Sequence, residues 1–159
     1  MEGRAQAERL AVELAGLPAG RVVSSDLRRA RHTARPVARA LGLVVVVDPR
    51  LREVDVGAWE GLTPAEAEEA FPDEYAAWRS GEEIARRGGE STPEAGARAA
   101  AAIVGHAGEL DADRALVVVS HGLVLNAALR RLRSDGIADL DDDPPRLANA
   151  TWLEVELQV

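Results

Sequence analysis

The chain has no cysteine and no lysine, and only 3% of its residues are aromatic. The first absence excludes disulfides and thiolate metal sites. The second makes all nineteen basic residues arginine, which is the signature of a GC-rich coding sequence before it is anything functional. The third leaves Val, Leu and Ala to build the core of a chain that is 47% hydrophobic, as in helices packed on a Val-rich sheet. No uncharged apolar run approaches ~18 residues, so no segment is expected to span a membrane. The start, Met1-Glu2-Gly3-Arg4, has neither the basic opening nor the apolar stretch of a signal peptide, so a cytoplasmic location is expected. Three histidines, His32, His106 and His121, cannot form a zinc site without carboxylates, and neither metal nor cofactor is expected. The net charge of −8 argues against nucleic acid as a partner, because binding a phosphate backbone relies on excess basic charge. A local arginine pocket can still bind a small anion on a globally acidic protein.

What is present reads as alternating helices and strands, in one domain over residues 1–159 with no repeat or linker. Ala7, Leu10, Ala11 and Leu14 recur at helical spacing and Gly16 follows as a stop. Val22-Val23-Ser24 reads as the end of a short strand, and Ser24 or Ser25 as the cap of a helix over 26–41 that Pro36 kinks or splits. Leu43 to Val47 reads as a buried strand, followed by a charged, Gly-containing loop to Thr63. Short helices are expected over 64–70 and 73–79, a second loop over 81–92, and an Ala-rich helix from Pro93 to about Leu110. Leu116 to Ser120 is a further strand, with His121-Gly122 leading into a helix that ends near Arg133. A solvated loop over 134–145 and an alternating edge strand over 151–159 complete the chain. The class is therefore α/β, a three-layer sandwich with a mostly parallel sheet.

Four segments can carry chemistry. In Ser24-Ser25-Asp26-Leu27-Arg28-Arg29, Arg28, His32, Arg35 and Arg39 form one helical stripe, and Leu27, Ala30, Ala34, Ala38 and Leu41 the opposite, buried one. Arg29 falls on neither. It lies in the first turn, where free N–H groups and the helix dipole favour an anion; the plainer reading is an exposed arginine. His121 follows a buried parallel strand, at the edge where ligands of open α/β sheets bind, and Gly122 permits close approach; alternatively His121 only caps the next helix. Leu51 to Gly61 holds several carboxylates and Trp59, and Glu53 can serve as a general acid if burial raises its pKa; alternatively this is a solvated loop with Trp59 packed on the core. Arg86-Arg87-Gly88-Gly89-Glu90-Ser91 can cradle an anion, weakly as a lone signal. His106 reads as a surface residue and His32 as structural.

Taken together and in order, "SSDLRRARHTA", "LREVDVGAWEGLT", "RGGES" and "VVVSHG" closely resemble the successive motifs of the histidine phosphatase (phosphoglycerate-mutase-like) superfamily, over nearly the whole chain. The resemblance implies phosphomonoester hydrolysis through a phosphohistidine, with a small phosphorylated metabolite as substrate. It implies that Arg29 and His121 neutralise phosphoryl oxygens, that Glu53 protonates the leaving alcohol, and that Gly122, Glu90 and Ser91 lie on the substrate side. Residues 59–81, followed directly by "GGES", resemble the shorter phosphatase branch more than the mutases.

One part of the family pattern is missing. The nucleophile belongs to an Arg-His-Gly motif at the end of a first strand, and the chain has neither that motif nor a strand before its opening helix. Leu123 and Asn126 also stand where glycine or asparagine, and arginine, are common. The expectation is an N-terminally truncated chain with an unpaired strand edge and a core void, which would favour a homodimer. The alternatives are a catalytically inactive anion-binding remnant, a phosphoglycerate mutase, or, from another class, a Rossmann-like nucleotide binder. The last lacks a Gly-rich fingerprint after a strand.

Overall fold

The computed structural model describes residues 2–140 and 149–158. Helix α1 (Glu2–Leu14) buries Ala7, Leu10, Ala11 and Leu14, the residues that share one helical face. Strand β1 (Ala19–Ser24) follows, then α2 (Arg28–Ala40), β2 (Val45–Val47), two short helices α3 (Pro64–Ala70) and α4 (Pro72–Arg79), the long α5 (Thr92–Ala107), β3 (Ala115–Val119) and α6 (Gly122–Ser134). The three strands lie in the order β2-β1-β3, all parallel, with Val22 opposite Val45 on one side and Val117 on the other. Successive residues of β1 face opposite ways, so Val22 joins α1 and α2 in one core while Val23 joins α5 and α6 in another. The result is the expected three-layer sandwich. Leu51 and Leu132 are fully buried in the second core; each contributes roughly 1.5–3 kcal/mol relative to exposure. There α5 and α6 touch closely: a Cβ at Gly96 would meet the Ala127 backbone at 2.8 Å.

Several local expectations are corrected. Helix α2 passes through Pro36 without a break. The carbonyl left without an intrahelical donor is that of His32, on the exposed face, where water can serve it. The N-cap is Leu27, not a serine; Ser25 Oγ instead accepts the Leu27 N–H at 3.2 Å. Strand β2 is not buried: it pairs with β1 alone, leaving Val46 and Val47 37% and 45% exposed. The expected strand over 151–159 reduces, among the described residues, to one antiparallel bridge between Ala138 and Leu157. No described strand lies beside it to continue a ladder. The acidic part of the expected 134–145 loop lies mostly outside the described residues. His106 is not a surface residue; its ring is held between Asp48 Oδ2 (3.0 Å) and Arg21 Nη1 (3.1 Å). Among the described residues, no helix is long and apolar enough to cross a membrane.

Candidate active site

The C-terminal ends of the three parallel strands share one edge, where ligands of such sheets bind. The ladder extends past β1, with Ser25 N–H donating to Val119 O (2.9 Å) and Asp48 N–H to Ser24 O (2.9 Å). This brings Ser25, at the β1 exit, beside His121, at the β3 exit.

His121 is buried and both ring nitrogens are engaged. Arg29 Nε donates to Nδ1 at 3.0 Å, and Nε2 lies 2.9 Å from Ser25 Oγ. Because a guanidinium only donates, Nδ1 must be the acceptor, so the proton sits on Nε2 and points to Ser25. Burial first, then the Arg29 charge, lowers the His121 pKa below its usual value. Arg29 itself is exposed, in the first turn of α2.

Glu53 approaches the same point from the other side. Its Oε1 accepts from Val54 N–H (3.0 Å) and Val124 N–H (2.9 Å), and its Oε2 faces Leu123 N–H at 3.4 Å. The first turn of α6 has no cap from His121, so the Glu53 oxygens accept N–H groups that the helix leaves free. Gly122 opens that turn. Arg29, Glu53, His121 and Gly122 thus line one opening.

The other two expected residues are placed differently. Ser91 caps α5: its Oγ accepts from Glu94 N–H, and the Glu94 carboxylate reaches back to Ser91 N–H at 2.8 Å. Glu90 spends both oxygens on Arg98 and on Asp55 N–H. Both residues face the protein in this geometry. Arg98 carried no motif signal of its own; the only trace in the sequence is that it lies two helical turns past Glu90.

The loops flanking Glu90 are closely packed. Ala58 N–H donates to Arg87 O (2.9 Å), Glu90 N–H to Asp55 O (3.0 Å), and a Cβ at Gly57 would run into Arg87 O. Beyond them Trp59, Phe71, Tyr75 and Trp78 gather in one cluster, leaving only Trp152 of the chain's aromatics elsewhere. The guanidinium of Arg86 lies 5.4 Å from the Trp59 ring centre, and burial lowers its pKa.

A groove of about 1680 Å³ runs from the opening down the outer edge of β3. This is larger than the roughly 300–1,000 Å³ of a small-molecule site. Ala115–Val119 form one wall and residues 149–157 the other, with Leu10, Leu14, Leu125 and Leu129 between. Among the described residues no strand pairs with that edge of β3, and no group of acidic and histidine side chains could hold a metal ion.

Several known proteins are similar to this chain. A glucosyl-3-phosphoglycerate phosphatase of Mycobacterium tuberculosis is 37% identical over 163 residues, covering 96% of this chain and 71% of the relative. A probable phosphoglycerate mutase of Yersinia pestis is 37% identical over 147 residues, covering 86% of this chain and 63% of its own length. The solved structure of a mycobacterial glucosyl-3-phosphoglycerate phosphatase with VO3 superimposes with a TM-score of 0.72 at 38% identity, over 81% of this chain and 66% of that one. The chain therefore spans about two thirds of the proteins it resembles. The profile of the histidine phosphatase superfamily (branch 1) matches residues 1–158, and the chain belongs to that family.

Proposed function

We propose that this protein hydrolyses phosphomonoesters through a phosphohistidine. Its nucleophile would be a histidine on a strand that fills the groove beside β3 and is supplied by a segment outside residues 1–159. The observation that carries the reading is the groove's course. A strand running parallel to β3 there would end level with Ser120 and His121, delivering a side chain to the opening that Arg29 and Glu53 share. The chain's own histidines are otherwise committed: His121 to Arg29 and Ser25, His106 to Arg21 and Asp48, and His32 to the exposed face of α2.

In this reading the imidazole attacks phosphorus in line as the bond to the leaving oxygen breaks. Arg29 and His121 stabilise the equatorial oxygens, and Glu53 gives its proton to the departing alkoxide. Water, losing its proton to Glu53, then cleaves the P–N bond and restores both groups. The substrate is a small phosphorylated metabolite. The identity to the mycobacterial phosphatase makes a phosphorylated sugar acid the first compound to assay.

The engagement of His106 and His121 favours one other reading, an anion-binding domain without turnover. Intact mass and N-terminal sequencing of the protein from its source, with a p-nitrophenyl phosphate assay, separate the two. An N-terminal segment bearing Arg-His-Gly, with turnover abolished by replacing that histidine, is the expected result. A mass matching residues 1–159, with phosphate binding and no turnover, would leave the binding domain.

A further inference from the structure

Arg98 lies on α5, away from the opening, yet all five of its N–H donors are used. Nε and Nη2 grip the two oxygens of Glu90 at 2.9 and 2.5 Å. Nη1 donates to the carbonyls of Arg50 (2.6 Å) and Arg52 (2.9 Å), and Nη2 also to that of Glu53 (3.1 Å). Three carbonyls from one four-residue stretch therefore converge on a single cation. Glu90 completes the frame: its Oε1 accepts from Asp55 N–H (2.9 Å), and its own N–H donates to Asp55 O (3.0 Å). The backbone on both sides of Glu53 is thereby tied to α5, while the Glu53 carboxylate rests on the first turn of α6.

We propose that Arg98, anchored by Glu90, is the positioning residue that holds the backbone of Glu53 so that its carboxyl group meets the leaving oxygen of the substrate. The inference rests on the reading of Glu53 as proton donor. It gives Glu90 the part of a strut rather than a substrate contact. Lysine cannot replace Arg98, because an ammonium lacks the planar fork that reaches a carboxylate and three carbonyls at once.

A proton donor matters most when the leaving group is a poor one. The test compares an alkyl phosphate, which leaves as a strongly basic alkoxide, with p-nitrophenyl phosphate, whose phenolate leaves unaided. In the natural protein, Arg98→Lys should lower kcat for the alkyl ester on the order of 10²-fold, the cost of a misplacement of about 1 Å. The nitrophenyl ester should change by less than roughly threefold, with KM preserved for both. Glu90→Gln should show the same asymmetry in smaller degree. Amide hydrogen exchange, which needs no turnover, should quicken at residues 53–55 in Arg98→Lys and stay unchanged in β1. Equal losses on both esters, or unaltered exchange at 53–55, would overturn the proposal. Glu53→Gln is the control: if it too lacks the asymmetry, the proton-donor reading has failed, whereas asymmetry there but not in Arg98→Lys counts against Arg98 alone.

Discussion

The two flanks of the opening are built in opposite ways. On the Glu53 side, residues 50–55 are fixed by hydrogen bonds from α5, from the 86–90 loop and from the first turn of α6. On the β3 side there is a groove lined by apolar and charged side chains alike and, among the described residues, no partner for the strand edge. One flank is fixed in place by hydrogen bonds, and the other is open among the described residues. Phosphoryl transfer draws mostly on placed charges, so rigidity matters most on the flank that carries them.

The contrast breaks most sharply at Arg29. Arg29→Ala should lower turnover of a phosphate ester by the natural protein about 10²–10³-fold, the usual loss for one transition-state donor. In a chain that only binds, the same change appears as weakened phosphate affinity in calorimetry. The next effect is on stability. Leu51→Ala, in the closed core, should cost about 2–5 kcal/mol in urea unfolding. Leu125→Ala, on the open groove, should cost less than ~1 kcal/mol. Similar losses at both sites would mean that the groove is filled in solution. Gly96→Ala should cost roughly 1–3 kcal/mol in the same measurement, because the added methyl meets the Ala127 backbone at 2.8 Å.

The smallest expected effect is a pH dependence. Burial lowers the His121 pKa, so the fold holds this ring neutral and the unfolded chain binds the extra proton. Stability tied to His121 is therefore present at neutral pH and lost as pH falls below the usual histidine value. A bound anion reverses that preference. Sulfate, which stays dianionic, should bind roughly 3–10-fold more tightly at pH 5 than at pH 7, and His121→Asn should flatten the dependence. A flat titration in the parent protein would mean that the anion does not reach His121.

The elements were legible in the sequence where local pattern decided them. Helical spacing gave α1 and the buried face of α2, and Pro64 and the apolar run before His121 located α3 and β3. What misled was anything set by neighbours distant in sequence. The run Leu43–Val47 reads as core, but no described strand covers its outer edge. His106 sits in an Ala-rich helix that reads as exposed, yet Asp48 and Arg21 come to it across the sheet. Arg29, Glu53 and His121 were found through ordered motifs and do converge. Arg98 was missed because its function lies in backbone carbonyls, which leave no mark in side-chain spelling. Asp48 differs in that its main partner is local: hydrogen bonds from Arg50, two residues on, first, against the opposing effect of burial, bring its pKa to about 2.

The aromatic cluster gives the protein a built-in optical reporter. Trp59 stacks near Phe71 and lies 5.9 Å from Trp78, edge to face, while Trp152 stands apart on the groove rim. Two coupled indoles in the cap over the loops and one solitary indole beside β3 absorb and emit in different surroundings. Near-ultraviolet dichroism would then follow the cap through its interacting pair, and the emission lost in Trp152→Phe the groove, since Trp78 is exposed as well. Movements on the two flanks could be timed separately in one unlabelled sample.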